Sequence, residues 1–207
     1  MPADALSTHP DGRPRCAWAT STEDYVRYHD EEWGRPVTDD RGIYERITLE
    51  AFQSGLSWLT ILRKRDAFRA AFRGFDFEAV SGFSDDDFKR LMDDAAIVRN
   101  RAKIEAAIAN AAATTEMSRS GESLAALVWS HAPATHTAPG SLEDVQSITP
   151  ESKALATELK RRGFRFVGPT TAYAAMQACG VVNDHLVGCA ARDEVEELRS
   201  AAQAAIA

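Results

Sequence analysis

Two cysteines and two histidines stand near opposite ends of the chain in positions that suit metal binding. His185 and Cys189 lie four residues apart near the end, and Cys16 and His29 lie thirteen apart near the start. Residues i and i+4 project from one helix face, which suits two ligands of one tetrahedral ion. The spacing matches no standard zinc finger. Spacing alone therefore favours the other interpretation, in which these are buried thiols and hydrogen-bonded imidazoles.

A carboxylate interrupts the apolar stripe of a helix predicted over residues 40 to 53. Ile43, Ile47 and Glu50 fall at i, i+4 and i+7, so Glu50 faces the same side as the two isoleucines. A buried carboxylate is costly unless it is paired or hydrogen-bonded. Either Glu50 reaches solvent or a neighbouring arginine, or it lies in a pocket where it accepts hydrogen bonds from a ligand.

Aromatic residues crowd the same part of the chain. They are Trp18, Tyr25, Tyr28, Trp33 and Trp58. Stripes of this kind usually belong to a hydrophobic core. A box of electron-rich rings beside a carboxylate would also bind a planar cation.

Two basic stretches could bind phosphate. The segment IVRNRAK carries Arg99, Arg101 and Lys103 at a predicted helix start, and KRRGFR carries four positive charges in six residues. Backbone amides at a helix N-terminus together with Arg and Lys bind phosphate groups, although a charged run is more often a solvated face.

The composition is that of a globular protein without a membrane segment. The chain has 207 residues, a formal net charge of −7 and three cysteines. We expect a cytoplasmic protein, because no apolar run approaches the roughly 20 residues of a membrane span and the first residues lack the apolar core of a signal peptide. The acidic balance does not exclude nucleic acid, since salt screens charges beyond about 8 Å and a local basic patch can still act.

Capping residues and apolar periodicity predict an all-α fold. Helices are expected at 40 to 53, after Ser57, after Ser84, and from Thr149-Pro150 to about Arg161. No strand pattern of useful length is present.

Four long stretches resemble the family of 3-methyladenine DNA glycosylase I. They are RCAW, YHDEEWG, LEAFQSGLSWLTIL and RGFRFVGPTTAYAAMQACGVVNDHLVGC. The resemblance implies a helical domain of the helix-hairpin-helix DNA glycosylase superfamily over residues 15 to 191, with the hairpin at about 84 to 115. Residues 1 to 14 are then expected to be a disordered extension, and residues 192 to 207 a C-terminal tail.

The resemblance also implies the roles of individual residues. A structural zinc ion would join the N- and C-terminal segments through Cys16, His29, His185 and Cys189. Glu50 matches the base-recognition carboxylate and catalytic position, and the aromatic walls match Trp18, Tyr25, Tyr28 and Trp58. Leu56 matches the side chain that wedges into DNA, with Gln53 beside it, and the hairpin would contact DNA through Arg99, Arg101 and Lys103.

One hairpin position departs from the family pattern. The family often has Gly where this chain has Ala96. If the turn requires a positive φ there, alanine costs about 1 kcal/mol.

The activity implied by the resemblance is that of a monofunctional glycosylase. It would flip 3-methyladenine out of double-stranded alkylated DNA and release it by hydrolysis, acting as a monomer with the free base as product. A non-catalytic zinc-containing module that binds DNA damage is the alternative, but it should have lost Glu50 or the aromatic box. A glycosylase for oxidised bases would need a hairpin lysine nucleophile and a following aspartate, which we do not find.

Overall fold

Residues 5 to 206 are described by a computed structural model, and within them ten α-helices follow a short β-hairpin. The strands are β1 (Leu6–Thr8) and β2 (Pro14–Cys16). The helices are α1 (Glu23–Glu31), α2 (Asp40–Gln53), α3 (Trp58–Ala71), α4 (Phe77–Ser81), α5 (Asp85–Asp93), α6 (Arg101–Arg119), α7 (Leu124–Trp129), α8 (Pro150–Arg161), α9 (Pro169–Ala178) and α10 (Arg192–Ile206). The predicted helical class is confirmed. None of the helices in this described part has both the length and the apolar character needed to cross a bilayer.

Local capping accounts for the helix boundaries that the sequence predicts. The Asp39 side chain accepts a hydrogen bond at the start of α2, and Ser57 does the same for α3. Thr149 and Ser152 form a reciprocal capping box ahead of α8, with Pro150 at the first helical position. These side chains satisfy amides that have no partner inside the helix.

Helix α2 lies at the centre of the domain. It packs against α3, α6, α7 and α9, and its side chains Ile43, Tyr44 and Phe52 are fully buried. The Phe52 ring packs at a tilt against Phe68 and edge-on against Phe72. Since α2 is surrounded on several sides, Glu50 is carried into the interior along with its apolar neighbours.

The β-hairpin corrects the expectation that residues 1 to 14 are disordered. Strand β1 pairs antiparallel with β2 in the register Leu6 to Cys16, while residues 1 to 4 lie outside the described part. The buried guanidinium of Arg15 binds the carboxylates of Asp11 and Asp30 at 2.6 Å, which ties the turn between the strands to α1. Strands of three residues are too short to show a period of two, which is why the sequence pattern missed them.

The segment after residue 191 forms α10 and packs on the domain. Val195 is fully buried in a small apolar cluster with Cys16 and Leu186. The Arg192 guanidinium donates to the carbonyls of Asn183 and His185. These contacts hold the C-terminal helix against the segment that carries two of the predicted metal ligands.

Helices α5 and α6 are joined by a turn over residues 94 to 100. The Asp94 carboxylate accepts from the Ala96 amide at 2.8 Å, and the Lys64 ammonium donates to the Ala95 and Ala96 carbonyls. Among the described non-glycine residues, positive φ occurs at Arg73, Phe75 and Phe166. Ala96 is not one of them, so the conditional penalty considered for alanine in this turn does not arise.

Candidate functional site

The four predicted metal ligands meet in the folded chain. One ligand atom from each of Cys16, His29, His185 and Cys189 lies within 4.8 Å of the others, and all four residues are buried. His185 Nδ1 lies 3.1 Å from His29 Nε2. Cys189 Sγ lies 3.4 Å from His29 Nε2 and 3.6 Å from His185 Nδ1. We call these four residues the ligand cluster.

The ligand cluster has the dimensions and the donor set of a tetrahedral metal site. With bonds of about 2.0 to 2.3 Å, the edges of a ligand tetrahedron are roughly 3.3 to 3.8 Å long. The second imidazole nitrogens have their own partners, since His29 Nδ1 lies 2.8 Å from Asp30 Oδ1 and His185 Nε2 lies 3.1 Å from the Trp33 carbonyl. Protonation of those nitrogens leaves the inward-facing nitrogens as lone-pair donors. The cluster can therefore hold one metal ion.

The two thiols of the ligand cluster differ in their affinity for a proton. The hydrogen bond from Cys16, assisted by the imidazoles of His185 and His29, lowers the pKa of Cys189. The same hydrogen bond, with burial, raises the pKa of Cys16. One thiolate is thus stabilised in the protein, and thiolate is the form that binds metal.

A cavity of about 210 Å³ opens beside the ligand cluster. It brings together residues from α1, α2, α3 and α9. Its lining consists of Trp18, Tyr25, Tyr28, Trp33, Glu50, Gln53, Trp58, Ala174 and Gln177. All four predicted aromatic walls and the predicted carboxylate therefore surround one space, which we call the aromatic cavity.

The rings around the aromatic cavity support one another. Trp18 meets Tyr25 edge-on with centroids 5.7 Å apart, and Tyr28 lies 5.2 Å from Trp58. The Tyr25 hydroxyl accepts a hydrogen bond from the Leu59 amide at 3.0 Å, which connects α1 to the start of α3. Rings packed in this way are held in place before any ligand arrives.

The ligand cluster and the aromatic cavity share side chains. Trp18 packs edge-on against the His29 ring at 5.5 Å, and Trp33 packs against the His185 ring at 4.7 Å. A metal ion that fixes the two imidazoles would also fix the two indoles.

Glu50 lines the aromatic cavity with a carboxylate that has no partner in the described chain. It is 6% exposed and forms no hydrogen bond or ion pair with residues 5 to 206. Burial raises its pKa to about 8, and the positive charge of Arg46 opposes that rise. A carboxylate of this kind can accept hydrogen bonds from a ligand, and a cationic ligand would favour its ionised form.

Arg46 supplies positive charge one helical turn before Glu50. Its Nη2 donates to Glu32 at 3.2 Å, and Glu32 also binds both terminal nitrogens of Arg65. The Nη1 of Arg46 is buried without a hydrogen-bond partner in the described chain. The interior around the cavity therefore contains an incompletely paired cation as well as an unpaired carboxylate.

Three lining residues were not among the predicted site residues. Trp33 was noted only as part of the aromatic crowd, and Ala174 and Gln177 lie on α9. Gln177 Nε2 donates to Asp184 Oδ2 at 2.7 Å, and Tyr173 donates to the same oxygen. The one signal in the sequence was a single polar residue within the otherwise apolar run YAAMQACG.

The residues predicted to contact DNA do not all lie on the surface. Leu56 is 42% exposed in the loop between α2 and α3, and Arg99 and Arg101 are exposed at the start of α6. Lys103 corrects the prediction of a phosphate contact, because the residue is buried and its ammonium donates to the Phe52 and Ser54 carbonyls. These carbonyls lie at the C-terminal end of α2, where backbone carbonyls have no hydrogen-bond partner within the helix. The Lys103 ammonium therefore binds them and does not extend into solvent.

Comparisons with known proteins identify the family to which the chain belongs. The model of the methyladenine glycosylase family matches residues 18 to 193. The chain is 47% identical to DNA-3-methyladenine glycosylase 1 of Escherichia coli K12 over 178 residues, which cover 84% of this chain and 95% of the relative.

Solved structures show the same fold. A crystal structure of a 3-methyladenine DNA glycosylase I, 47% identical, superposes with a TM-score of 0.82 and covers 85% of this chain and 98% of that chain. The 3-methyladenine DNA glycosylase I of Staphylococcus aureus is 32% identical, with a TM-score of 0.81 and coverage of 86% and 96%. The chain therefore belongs to the methyladenine glycosylase family.

Proposed function

We propose that this chain is a monofunctional DNA glycosylase that releases 3-methyladenine from alkylated double-stranded DNA. The observation that carries the proposal is the unpaired, buried Glu50 in the lining of a cavity that also contains five aromatic residues. The relative from Escherichia coli is named for this activity, and the Staphylococcus aureus structure concerns recognition of 3-methyladenine by that protein.

Base recognition in the aromatic cavity would depend on charge. A 3-methyladenine nucleotide is cationic, and rings such as those of Tyr28 and Trp58 attract a planar cation across their faces. Glu50 would accept hydrogen bonds from the edge of the base. Because its pKa is about 8 in the free protein, arrival of a cation would favour release of its proton. Neutral adenine gains neither contribution, which supports selectivity for the damaged base.

The bond-breaking step would need little acid catalysis. The cationic base leaves C1′ as a neutral molecule when the N-glycosidic bond breaks, and the deoxyribose becomes oxocarbenium-like. Water adds to C1′ and loses a proton, which leaves an abasic site. Lys103 is hydrogen-bonded to the Phe52 and Ser54 carbonyls, which supports a reaction without a lysine nucleophile or strand cleavage.

Extrusion of the base would use the exposed loop after α2. Leu56 is the candidate wedge, because it is an exposed apolar side chain next to the aromatic cavity's Trp58 and Gln53. Base flipping costs a few kcal/mol, and less for a damaged base. Helices α5 and α6 would serve as the helix-hairpin-helix unit, with Arg99 and Arg101 near DNA phosphates.

The ligand cluster would hold a structural zinc ion. Two thiolates and two imidazoles are a common closed zinc set, and they leave no coordination position for a reacting water. The proposed domain comprises residues 15 to 191 and acts as a monomer, with α10 packed against its metal-binding end.

Base release from methylated duplex DNA tests the proposed function. We expect the purified protein to liberate 3-methyladenine, separated and quantified by chromatography, and to leave abasic sites without strand breaks. A folded protein that binds abasic DNA yet releases no base would instead support the damage-binding module. Strand cleavage at the abasic site, without added base or heat, would contradict the monofunctional mechanism.

A further inference from the structure

A second surface beside the proposed wedge is basic although the chain is acidic. A groove of about 850 Å³ lies between α8 and the start of α9. Its lining includes Ser54, which belongs to the loop over residues 54 to 57 that carries Leu56 and that we call the wedge loop. Three of its lining residues are cations, namely Lys153, Lys160 and Arg165, and none is acidic. The whole chain has 31 acidic and 24 basic residues, so a groove with only positive charge stands out from the rest of the chain. We call it the basic groove.

The structure divides the KRRGFR run into two kinds of cation. Arg161 and Arg162 both bind Glu158, and Arg162 also binds Glu122, so their charges are compensated. Lys160 and Arg165 line the basic groove and form no ion pair with an acidic side chain of residues 5 to 206. An anion entering the groove would therefore meet cations that have no competing carboxylate.

The loop that carries Arg165 is held in a strained conformation. Phe166 has φ of 59°, a region that bulky L-residues rarely adopt, and the residue is 42% exposed. Asn110 of α6 accepts from the Arg165 amide at 2.7 Å and donates to the Arg165 carbonyl at 3.1 Å. Strain of this kind persists when the surroundings impose it, and it occurs often at functional sites.

The basic groove is continuous with the proposed wedge loop. The Lys103 ammonium lies 5.6 Å from the Phe166 ring centroid and 2.5 Å from the Ser54 carbonyl. One buried cation therefore connects the strained loop to the loop that carries Leu56. DNA wedged open at Leu56 would pass close to Phe166 and to the cations around it.

We propose that the basic groove binds the phosphodiester backbone of the damaged duplex beyond the wedge, as a site separate from the hairpin formed by α5 and α6. Lys153, Lys160 and Arg165 would neutralise phosphates, and the exposed Phe166 ring would pack against a sugar or base. The inference rests on the proposed function because that function makes DNA the occupant.

The salt dependence of DNA binding tests this site. The probe is a duplex with a stable abasic-site analogue, and the variant is K153Q/K160Q/R165Q. Each phosphate contact contributes about 0.9 to the slope of log K against log salt, so we expect the slope to decrease by roughly 2 to 3. F166A should weaken binding with little change in slope. The matched control is R161Q/R162Q, which removes charges from the same run that are already paired, and its slope should stay close to that of the wild type.

Two results would overturn the proposal. One is an unchanged slope in the triple variant, which would mean that something other than DNA uses the groove. The other is an equal decrease per charge in the control variant, which would show a general effect of net charge. If the triple variant does not fold, K160Q and R165Q are measured singly, each with an expected decrease of about 0.9. Base release by the wild-type protein is assayed in parallel, so failure of the proposed function is seen separately.

Discussion

Glu50 lies on the apolar face of α2, although burial of its charged carboxylate is unfavourable. Its neighbours Ile43 and Ile47 on the same face are fully buried, and the carboxylate has no partner in residues 5 to 206. Arg46 on the same helix opposes the rise in its pKa, and the charge of Glu50 adds to burial in raising the pKa of Tyr28 on α1 and of Cys179 at the end of α9. A buried carboxylate without a hydrogen-bond partner lowers the folding stability of the free protein. A bound cationic ligand would offset that loss by pairing with it.

The pH dependence of stability tests the state of Glu50. Its pKa in the folded chain is about 8, against an ordinary value of 4.5, so the folded state holds a proton that the unfolded state releases. The stability linked to this proton is complete below pH 4.5 and is lost as pH rises through 8. Glutamine cannot ionise, so Glu50→Gln should gain stability relative to the wild type between pH 5 and 9, by at most about 1.4 kcal/mol per pH unit.

Thermal unfolding of both proteins across that pH range measures the difference. Parallel curves for wild type and Glu50→Gln would show that the carboxylate is already ionised or paired. The same variant should bind free 3-methyladenine at least about tenfold more weakly, which corresponds to about 1.4 kcal/mol, while its binding to an abasic duplex changes much less. Equal losses would make Glu50 a structural residue.

At the scale of the element, the C-terminus of α2 depends on α6. The Phe52 and Ser54 carbonyls have no helical partners, and the Lys103 ammonium satisfies both. The contact positions the loop that carries Leu56 and Ser57, and the Ser57 side chain caps the N-terminus of α3. One lysine on α6 thus connects α6, the end of α2 and the loop that leads into α3.

Removing that ammonium should affect DNA more than the free base. Lys103→Met removes the donor from the buried Phe52 carbonyl and from the partly buried Ser54 carbonyl, which costs roughly 1 to 3 kcal/mol of folding stability. We expect kcat/KM on methylated duplex to fall about tenfold or more, with a smaller change in the dissociation constant of free 3-methyladenine. Lys89→Met, an exposed lysine on α5, is the control. Equal losses for duplex and free base would place the effect in the cavity itself.

The turn between α5 and α6 accepts alanine without strain. Ala96 does not have positive φ, whereas Gly163 after α8 has φ of +95°. Ala96→Gly should therefore lower the free energy of unfolding by roughly 0.5 to 1 kcal/mol, since glycine adds freedom to the unfolded chain. Gly163→Ala should also destabilise, by about 1 kcal/mol, because of its backbone conformation. A higher melting temperature for Ala96→Gly would contradict the geometry of the turn.

At the scale of the whole molecule, the ligand cluster connects the two ends of the domain. Cys16 is the last residue of β2, His29 lies in α1, and His185 and Cys189 precede α10. Arg35 adds an ion pair to Glu194 on α10. The aromatic cavity lies directly behind these contacts, so its shape depends on the closure of the chain ends.

Metal removal should therefore open the cavity as well as weaken the fold. We expect about one zinc ion per chain by elemental analysis, since structural zinc takes four protein ligands. His185→Ala should lose the metal, lower the melting temperature and weaken binding of free 3-methyladenine. Cys179→Ala removes a buried thiol outside the cluster and should keep its metal. A wild-type protein that is folded and contains no metal would contradict the proposal.

The sequence by itself determined the features that depend on a few neighbouring residues. Ser57, Ser84 and Thr149 predict helix starts because a capping side chain acts within one turn. The apolar stripe of α2 likewise placed Glu50 on the same helix face as Ile43 and Ile47, but it left open whether the carboxylate reaches solvent or lies in a pocket. The family resemblance named the ligand set and the aromatic walls, which spacing alone had left open.

The tertiary structure decided what depends on segments distant along the chain. His29 and His185 are 156 residues apart and meet only because the chain ends pack together. Lys103 looked like one more phosphate ligand, but carbonyls about 50 residues earlier occupy its ammonium. The KRRGFR run looked uniform until Glu122 and Glu158 paired with two of its arginines. Local patterns specify a side chain's chemistry and helix face, but its partners depend on long-range packing.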